Sequence, residues 1–364
     1  MTVNEITGII EAFAPLGYQE SYDNVGLLVG AQQSKVNGVL LTIDTTPEVV
    51  NEALERDANL IISHHPLIFK GLKRLTGSNY VEKTVIKAIK HGISIYAAHT
   101  NLDNIWGGVS AAAAKRLGLK DISILSPTTN QLVKLSVFVP TVNAEEVRLA
   151  MFNAGAGQVG NYDWCSYNVE GTGTFRAGEG TSPHVGELGK IHLEPETKIE
   201  VIVPKPILGK VLKAMLSKHP YEEVAYDIFD VKKPNPRAGL GVLGVLPSSV
   251  DEMEFLYQLK KFFKTGCIRH SPLTGKKIKT VAICGGSGAD FIGDAISAKA
   301  DIYITADIKY HQFFDAEGKL LIADVGHFES EQFAIDIFYE VLTKKMPNFV
   351  VLKSNVKTNP INYL

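Results

Sequence analysis

The stretches GVLLTIDTTP (residues 38–47) and NLIISHHP (residues 59–66) carry the pattern from which the fold can be predicted. Each contains an apolar run of strand length that ends in polar residues, and the segment 48–56 between them is compatible with a helix. Thr45 or Thr46 can cap this helix, and Pro47 suits its first position. The order strand, helix, strand therefore predicts an α/β fold.

The same order of elements recurs near the other end of the chain. Residues 279–284 and 301–305 have strand character, and the segment 289–300 between them is compatible with a helix. In both regions the chain then reaches a further apolar run that ends in a His-x-x-x-Asp or His-x-x-x-Glu sequence. We interpret the two regions as halves of a duplicated α/β core that face each other. Such units are common in α/β proteins, so coincidence is the alternative.

Four histidines follow apolar runs that we expect to be buried strands, and two of them lie four residues before a carboxylate. The carboxyl ends of strands are where ligands bind in open α/β sheets. A single histidine at a strand end is usually structural, but imidazole combined with carboxylate suits zinc, iron or manganese. The sequence therefore predicts a metal site divided between the two halves. Its candidate residues are His64, His65, His99 with Asp103, and His327 with Glu331.

The adjacent pair of histidines favours two metal ions over one. In an extended segment the rings of His64 and His65 point to opposite sides, so a single ion would not easily bind both. Two ions about 3.5 to 4 Å apart, joined by a bridging carboxylate, accommodate them. Either Glu331 or Asp103 could supply the bridge.

Several other residues are candidates for supporting roles. His99 is expected to bind a metal or to support a ligand through a hydrogen bond. Asp307, Lys309 and His311 follow the strand that would match the one before the histidine pair, so they are candidates to line the cleft, and a structural or surface role is the alternative. The turn CGGSGAD (residues 284–290) either contacts a phosphate or only forms a tight strand-to-helix connection. The remaining histidines are interpreted as surface or inserted-domain residues: His91, His184, His192, His219 and His270.

A second, cleaner repeat lies between the two halves. Residues 135–140 and 199–204 have strand character, and both end in the sequence Val-x-Val-Pro. Each leads into an amphipathic helix and then into a further segment of alternating apolar and polar residues. Strand, helix, strand twice over is typical of a ferredoxin-like fold. We therefore predict a discontinuous α/β metal-binding core, residues 1–126 and 233–364, interrupted by a ferredoxin-like α+β domain at residues 127–232.

Composition limits the classes of function. The 364 residues suffice for two domains with separate cores, and 45% of them are hydrophobic. With a net charge of −2 and no basic run, we do not expect nucleic-acid binding. No apolar stretch of membrane-spanning length occurs, no secretory leader is recognisable, and the three cysteines show no paired spacing. We therefore expect a cytoplasmic protein without a membrane partner.

Five motifs are spread over most of the chain: SYDNVGLLVG (residues 21–30), SHHPLIF (63–69), AHTNLD (98–103), ADIYITADIKYH (300–311) and GHFESE (326–331). Together, and in this order, they resemble the Nif-three-like dinuclear metal-centre family, whose bacterial members are often labelled GTP cyclohydrolase I type 2 homologs. One departure is Ala306, at a position where glycine is expected in many relatives.

The resemblance implies a specific set of ligands and an assembly. Long members of the family carry a central insert similar to PII-like and CutA-like domains, and the family assembles as a toroidal homohexamer. The implied metal ligands, each a competent residue type here, are His64, His65, Asp103, His327 and Glu331.

The expected function is that of a hydrolase that uses two divalent ions per chain, with zinc the leading candidate and iron or manganese the alternatives. Two ions supply a nucleophilic water near neutral pH. The family label points to opening of the guanine imidazole ring of GTP, so we expect a small-molecule substrate, of which a nucleotide is one candidate. The catalytic residues themselves cannot be assigned beyond this water and the supporting candidates His99, His311 and Asp307. The alternative is a metal-binding regulatory or scaffold protein without hydrolase activity.

Overall fold

The computed structural model describes residues 1–364 and divides them into two units. One comprises Met1–Pro127 and Arg237–Leu364, and the other comprises Thr128–Pro236. The second unit covers nearly the same residues as the predicted insert, 127–232. No helix is both long enough and apolar enough to cross a membrane.

The first part of the chain builds most of a five-stranded sheet. Thr46 caps the second helix by accepting a hydrogen bond from the backbone N–H of Val49, and Pro47 occupies the first helical position, as predicted. The three central strands of the five-stranded sheet are parallel and buried along their whole length, as expected for strands covered on both faces. The elements are α1 (Val3–Phe13), β1 (Gly26–Val29), β2 (Val39–Thr42), α2 (Pro47–Glu55), β3 (Leu60–Ser63), α3 (Tyr80–Lys90), β4 (Ser94–Ala97), α4 (Thr100–Asp103), α5 (Val109–Arg116) and β5 (Lys120–Pro127).

Residues 128–236 form a four-stranded antiparallel sheet with two helices. Its strands lie in the order β7 (Ser166–Arg176), β8 (Ile191–Pro204), β6 (Leu132–Pro140) and β9 (Tyr226–Val231), which is compatible with the predicted ferredoxin-like pattern. Alternate residues of β6 and β8, among them Val137 and Val201, are buried in one apolar core with Met151 and Met215 of the helices. The elements are β6 (Leu132–Pro140), α6 (Ala144–Asn153), β7 (Ser166–Arg176), β8 (Ile191–Pro204), α7 (Leu208–Lys218) and β9 (Tyr226–Val231).

The last part of the chain builds most of a six-stranded sheet. The helix predicted at residues 289–300 is shorter in the structure: a 3-10 turn at Ala289–Phe291 precedes a helix that ends before Lys299, whose φ of 56° is left-handed and stops the helix. The elements are β10 (Gly239–Val250), α8 (Glu252–Phe263), β11 (Arg269–His270), β12 (Ile278–Ser287), α9 (Ile292–Ser297), β13 (Ile302–Ala306), β14 (Leu321–Asp324), α10 (His327–Glu331), α11 (Ala334–Lys345) and β15 (Val351–Lys353).

Each of these two sheets contains a strand from the other end of the chain. The five-stranded sheet has the order β1-β4-β3-β2-β15, and the six-stranded sheet has the order β11-β14-β13-β12-β10-β5. Both contain three adjacent parallel strands, β2-β3-β4 and β12-β13-β14, which agrees with the predicted duplication. Because β5 and β15 are exchanged in this way, neither sheet is built from one half of the core alone.

The junctions of the predicted insert are close together in the first unit, because Pro127 and Gly239 are register partners of β5 and β10. We therefore predict that deletion of residues 128–236, with a short Gly/Ser linker in their place, leaves a folded core that keeps all five predicted metal ligands. Circular dichroism and elemental analysis of the deletion protein would test this, and light scattering should show the same or a smaller oligomer. Insoluble or metal-free protein would contradict the inserted-domain interpretation.

Candidate metal centre

Parallel strands bring the candidate ligands to one place in the first unit. β3 ends at Ser63, directly before the histidine pair, and its neighbour β4 ends two residues before His99. On the other sheet, β14 ends at Asp324, and α10 begins with His327. The carboxyl ends of buried parallel strands carry the polar side chains, as the sequence predicts.

The five predicted ligands form two groups that share the carboxylate of Glu331. One group is His65, His327 and Glu331, and the other is His64, Asp103 and Glu331; within each, the potential ligand atoms lie within 4.8 Å of one another.

The two oxygens of Glu331 face different groups. Oε2 lies 2.8 Å from Nε2 of His65 and 3.0 Å from Nε2 of His327. Oε1 lies 3.8 Å from Nε2 of His64, which is itself 3.8 Å from Oδ1 of Asp103. A carboxylate whose oxygens point into two neighbouring donor groups is suited to bridging two cations. Of the two alternatives left open by the sequence, this geometry favours Glu331.

The His64 imidazole shows that a cation fits this donor set. The side chain is fully buried, and its Nδ1 lies 3.0 Å from the carbonyl oxygen of Ala98, to which it donates a hydrogen bond. The Nε2 atom is therefore the nitrogen with the free lone pair, and it is buried without any hydrogen-bond partner. An orphaned buried acceptor is costly unless something binds it. Coordination of a metal ion would satisfy it.

The two other candidate histidine ligands are each oriented by a carboxylate. Nδ1 of His65 donates to Oδ1 of Asp44 at 2.7 Å, and Nδ1 of His327 donates to Oδ2 of Asp307, also at 2.7 Å. Such carboxylate–histidine pairs fix the tautomer that leaves Nε2 free to bind a metal. Asp307 therefore contacts a candidate ligand, as a supporting residue would. Asp44 was missed, although its place at the end of the quoted stretch GVLLTID is the signal that could have identified it.

His99 lies beside His64 and His65, where it is held by contacts that the sequence did not reveal. Its ring lies edge-on to those of His64 and His65, with centroids 5.2 and 5.4 Å away, and its Nδ1 is 3.0 Å from Oδ1 of Asp23. Burial would raise the pKa of the Asp23 carboxyl, but hydrogen bonds from His99 and Thr100 lower it to about 2. A permanently charged Asp23 thus holds the orientation of the imidazole.

His311 and Lys309 belong to neither candidate ligand group. Residues Tyr310–Ala316 form a 3-10 turn after β13, where His311 lies edge-on to Tyr310 and stacks on Phe314, with centroids 5.1 and 6.4 Å away. Both His311 and Lys309 are exposed. Any role for His311 in the chemistry stays a prediction.

The glycines at the end of β12 pack against the candidate ligands. The predicted turn at residues 284–290 starts later than expected, because β12 continues to Ser287, which still pairs with Ala306 of β13. The N–H groups of Gly285 and Gly286 donate to the hydroxyls of Ser110 and Ser330, so these two donors are already used and not available to a phosphate. Gly286 has a φ of 65°, and a Cβ there would lie 2.2 Å from Oε1 of Glu331. Glycine is required because the carboxylate approaches the backbone closely.

The protonation of the metal-free centre follows from burial and charge. Burial opposes a charge on His65, yet its two carboxylate partners raise its pKa to about 9; the same balance raises the pKa of His327 to about 11. Burial, followed by repulsion from Glu331, raises the pKa of Asp103 to about 7. The pKa of Glu331 lies well below its usual value despite burial, because histidines donate to it. Without metal, protons therefore occupy the centre at neutral pH.

A cavity of about 630 Å³ opens over the ligands, which is large enough for a small molecule. Part of its wall is aromatic, with Tyr22 and Phe69 in contact at a centroid distance of 6.4 Å. Its charged side chains are carboxylates and histidines, and no lysine or arginine lines it.

Comparison with known proteins identifies the family. The sequence profile described as Duf34/NIF3 (NGG1p interacting factor 3) matches residues 1–360. The chain is 39% identical over 362 residues to a protein of Halalkalibacterium halodurans and 36% identical over 370 residues to one of Bacillus subtilis, covering 98% and 99% of this chain and 97% and 98% of the relatives. Both relatives are named GTP cyclohydrolase 1 type 2 homolog.

Solved structures agree with this assignment. A Bacillus cereus protein related to NIF3 superposes with a TM-score of 0.86 at 37% identity, covering 100% of this chain and 99% of that one. A Staphylococcus aureus protein superposes with a TM-score of 0.77 at 30% identity, with the same coverage. Both the whole-length sequence match and the whole-length superposition lead to one conclusion: this chain belongs to the Duf34/NIF3 family.

Proposed function

We propose that the chain is a hydrolase that depends on two divalent metal ions, with zinc the first candidate and iron or manganese the alternatives. The observation that carries the proposal is the position of Glu331, whose two oxygens face two different donor groups. One ion would be held by His65, His327 and Glu331, and the other by His64, Asp103 and Glu331. Mixed imidazole and carboxylate donors suit these metals.

When bound, a pair of such ions supplies Lewis acidity and a water nucleophile at neutral pH. The protein's residues orient the donors and shape the space above them. Asp44 and Asp307 hold two imidazoles in one tautomer, and the aromatic residues Tyr22 and Phe69 form part of the cavity wall. His99, held by Asp23, faces the same cavity and is placed to contact a bound substrate.

The proposed reaction is hydrolysis of a carbon–nitrogen bond in a ring, as in the opening of the guanine imidazole ring of GTP. The names of the relatives support a nucleotide-related substrate, and the cavity has the size of a small molecule. We further propose that the protein works in the cytoplasm as a homohexamer, as the family resemblance implies.

One observation favours the second candidate, a metal-binding regulatory protein without hydrolase activity. A nucleoside triphosphate carries several negative charges, and the cavity offers no lysine or arginine to neutralise them. Its lining instead contains five carboxylates, Glu20, Asp44, Asp103, Asp290 and Glu331. In that case the metals and the cavity would serve to sense or store a cation.

The first test concerns the shared carboxylate. Purified protein should hold two transition-metal ions per chain, and Glu331→Gln should lose one or both while the fold survives, because the amide removes the charge shared by two cations. Elemental analysis measures this, with Glu340→Gln on the exposed face of α11 as the matched control. One ion or none in the metal-replete wild type would refute the dinuclear centre, and full metal content in Glu331→Gln would shift the bridge to Asp103.

The second test uses the protons of the metal-free centre. Since His65 and His327 have pKa values of about 9 and about 11 there, both carry a proton at pH 7 that a metal ion must displace. Metal affinity should therefore rise as the pH increases from about 6 to about 9, and binding at pH 7 should release protons. Titration calorimetry in buffers of different ionisation enthalpy measures the release. A binding enthalpy independent of the buffer would contradict this assignment of ligands.

The third test is chemical. Metal-loaded protein is incubated with GTP, with other phosphoesters and with cyclic amides, and formate release or any other hydrolysis is followed by chromatography. Activity should rise through a pH of about 7 and disappear in both His64→Ala and His327→Ala, whereas the exposed His91→Ala should retain it. Activity that survives either ligand substitution belongs to another site or a contaminant. Inactivity across the panel with two ions bound would favour the regulatory candidate.

A further inference from the structure

The segment that follows β15, residues 354–364, contacts the carboxylate that orients one candidate metal ligand. It has no regular secondary structure, yet several of its side chains are held by acidic residues. We propose that Thr358 is a positioning residue for the metal centre and that it acts on one ion only. The inference rests on the proposed dinuclear centre.

The first contact links Thr358 to the candidate ligand His65 through the carboxylate of Asp44. The Thr358 hydroxyl donates to Oδ2 of Asp44 at 2.7 Å, while Oδ1 of the same carboxylate accepts from Nδ1 of His65 at 2.7 Å. The carboxylate of Asp44 is about one-third exposed and so would be free to rotate without this second bond. Thr358 therefore fixes the plane of the group that orients the His65 imidazole.

The second contact reaches the helix that carries the other ligands. Nδ2 of Asn359 donates to Oε1 of Glu329 at 3.0 Å. Glu329 is a buried residue of α10, the short helix that begins with His327 and ends with Glu331. Asn359 thus ties the residue next to Thr358 to this helix and helps to fix the position of the segment.

The segment is anchored on both sides of these contacts. Before them, the backbone N–H of Asn355 donates to Oε1 of Glu52 at 2.8 Å, and the Ser354 hydroxyl donates to the other oxygen. After them, the Tyr363 ring lies over Gly266, where a Cβ would be 2.6 Å from its Cδ2. Anchors at both ends give Thr358 a fixed position from which to orient Asp44.

The two ion positions differ in their dependence on this segment. His65 is oriented through Asp44 and Thr358, whereas His64 is oriented by the backbone carbonyl of Ala98, which the segment does not contact. Loss of the Thr358 hydroxyl should therefore weaken the ion held by His65, His327 and Glu331 and leave the other ion unchanged. A purely structural role for Thr358 would not distinguish between the two.

The test replaces the hydroxyl without changing the size of the side chain. In full-length Thr358→Val, chelator competition with zinc should show one ion bound about 10- to 100-fold more weakly and the other bound as in the wild type, since loss of a partner behind a ligand has effects of this size. Thr358→Ser, which keeps the hydroxyl, should restore wild-type affinity. Thr343→Val is the matched control, because the Thr343 hydroxyl bonds only within α11, to the Tyr339 carbonyl.

A double-mutant cycle with Asp44→Ala then tests the route. If Thr358 acts through Asp44, adding Thr358→Val to Asp44→Ala should cause no further loss of affinity. Cobalt-substituted protein gives an independent reading, because the absorption of only one cobalt site should change in Thr358→Val.

The outcomes separate this inference from the proposed function. Two ions in the wild type and unchanged affinities in Thr358→Val would overturn the positioning role alone, as would equal weakening of both ions or additive effects in the cycle. Fewer than two ions in the wild type would overturn the dinuclear centre and this inference with it.

Discussion

The rest of the candidate centre depends on one buried carboxylate, that of Glu331, which lies between a single imidazole and a pair of imidazoles. A charged group is costly to bury unless it is paired and hydrogen-bonded. Here each oxygen faces a different partner, His64 on one side and the pair His65 and His327 on the other. The neighbouring backbone is adapted to this carboxylate, since Gly286 lies so close to it that no side chain fits.

The fold brings these partners together by ending parallel strands at a common place. The histidine pair follows β3, and His327 follows β14 of the other sheet, so the centre requires both sheets to be complete. The exchange of edge strands serves this requirement, because β15 pairs with β2 and β5 pairs with β10. Neither sheet is complete without a strand from the other end of the chain.

Local patterns in the sequence identify the candidate ligands but not the residues that orient them. An apolar run followed by histidine is visible within a few residues, which is why the sequence points to His64 and His327, and the structure places each of them beside Glu331. Whether they bind metal stays a prediction. The supports depend on contacts between distant parts of the chain, such as the bond between Asp44 and Thr358, which are 314 positions apart. No periodicity or spacing records such a pairing. The same limit explains His311, whose direction was decided by a 3-10 turn that the strand pattern did not predict.

The residues that orient the candidate ligands also differ between the two halves of the core. His65 is held by Asp44, and His327 is held by Asp307. Asp44 follows β2, an outer strand of the parallel set β2-β3-β4, whereas Asp307 follows β13, the middle strand of the set β12-β13-β14. Asp307 accepts its second bond from the nearby Ser287, and Asp44 accepts its second bond from the C-terminal segment. Because the halves orient their imidazoles by different routes, substitutions in one route need not disturb the other. In the proposed dinuclear centre, these unequal supports would let the two ions differ in affinity while they share a single carboxylate.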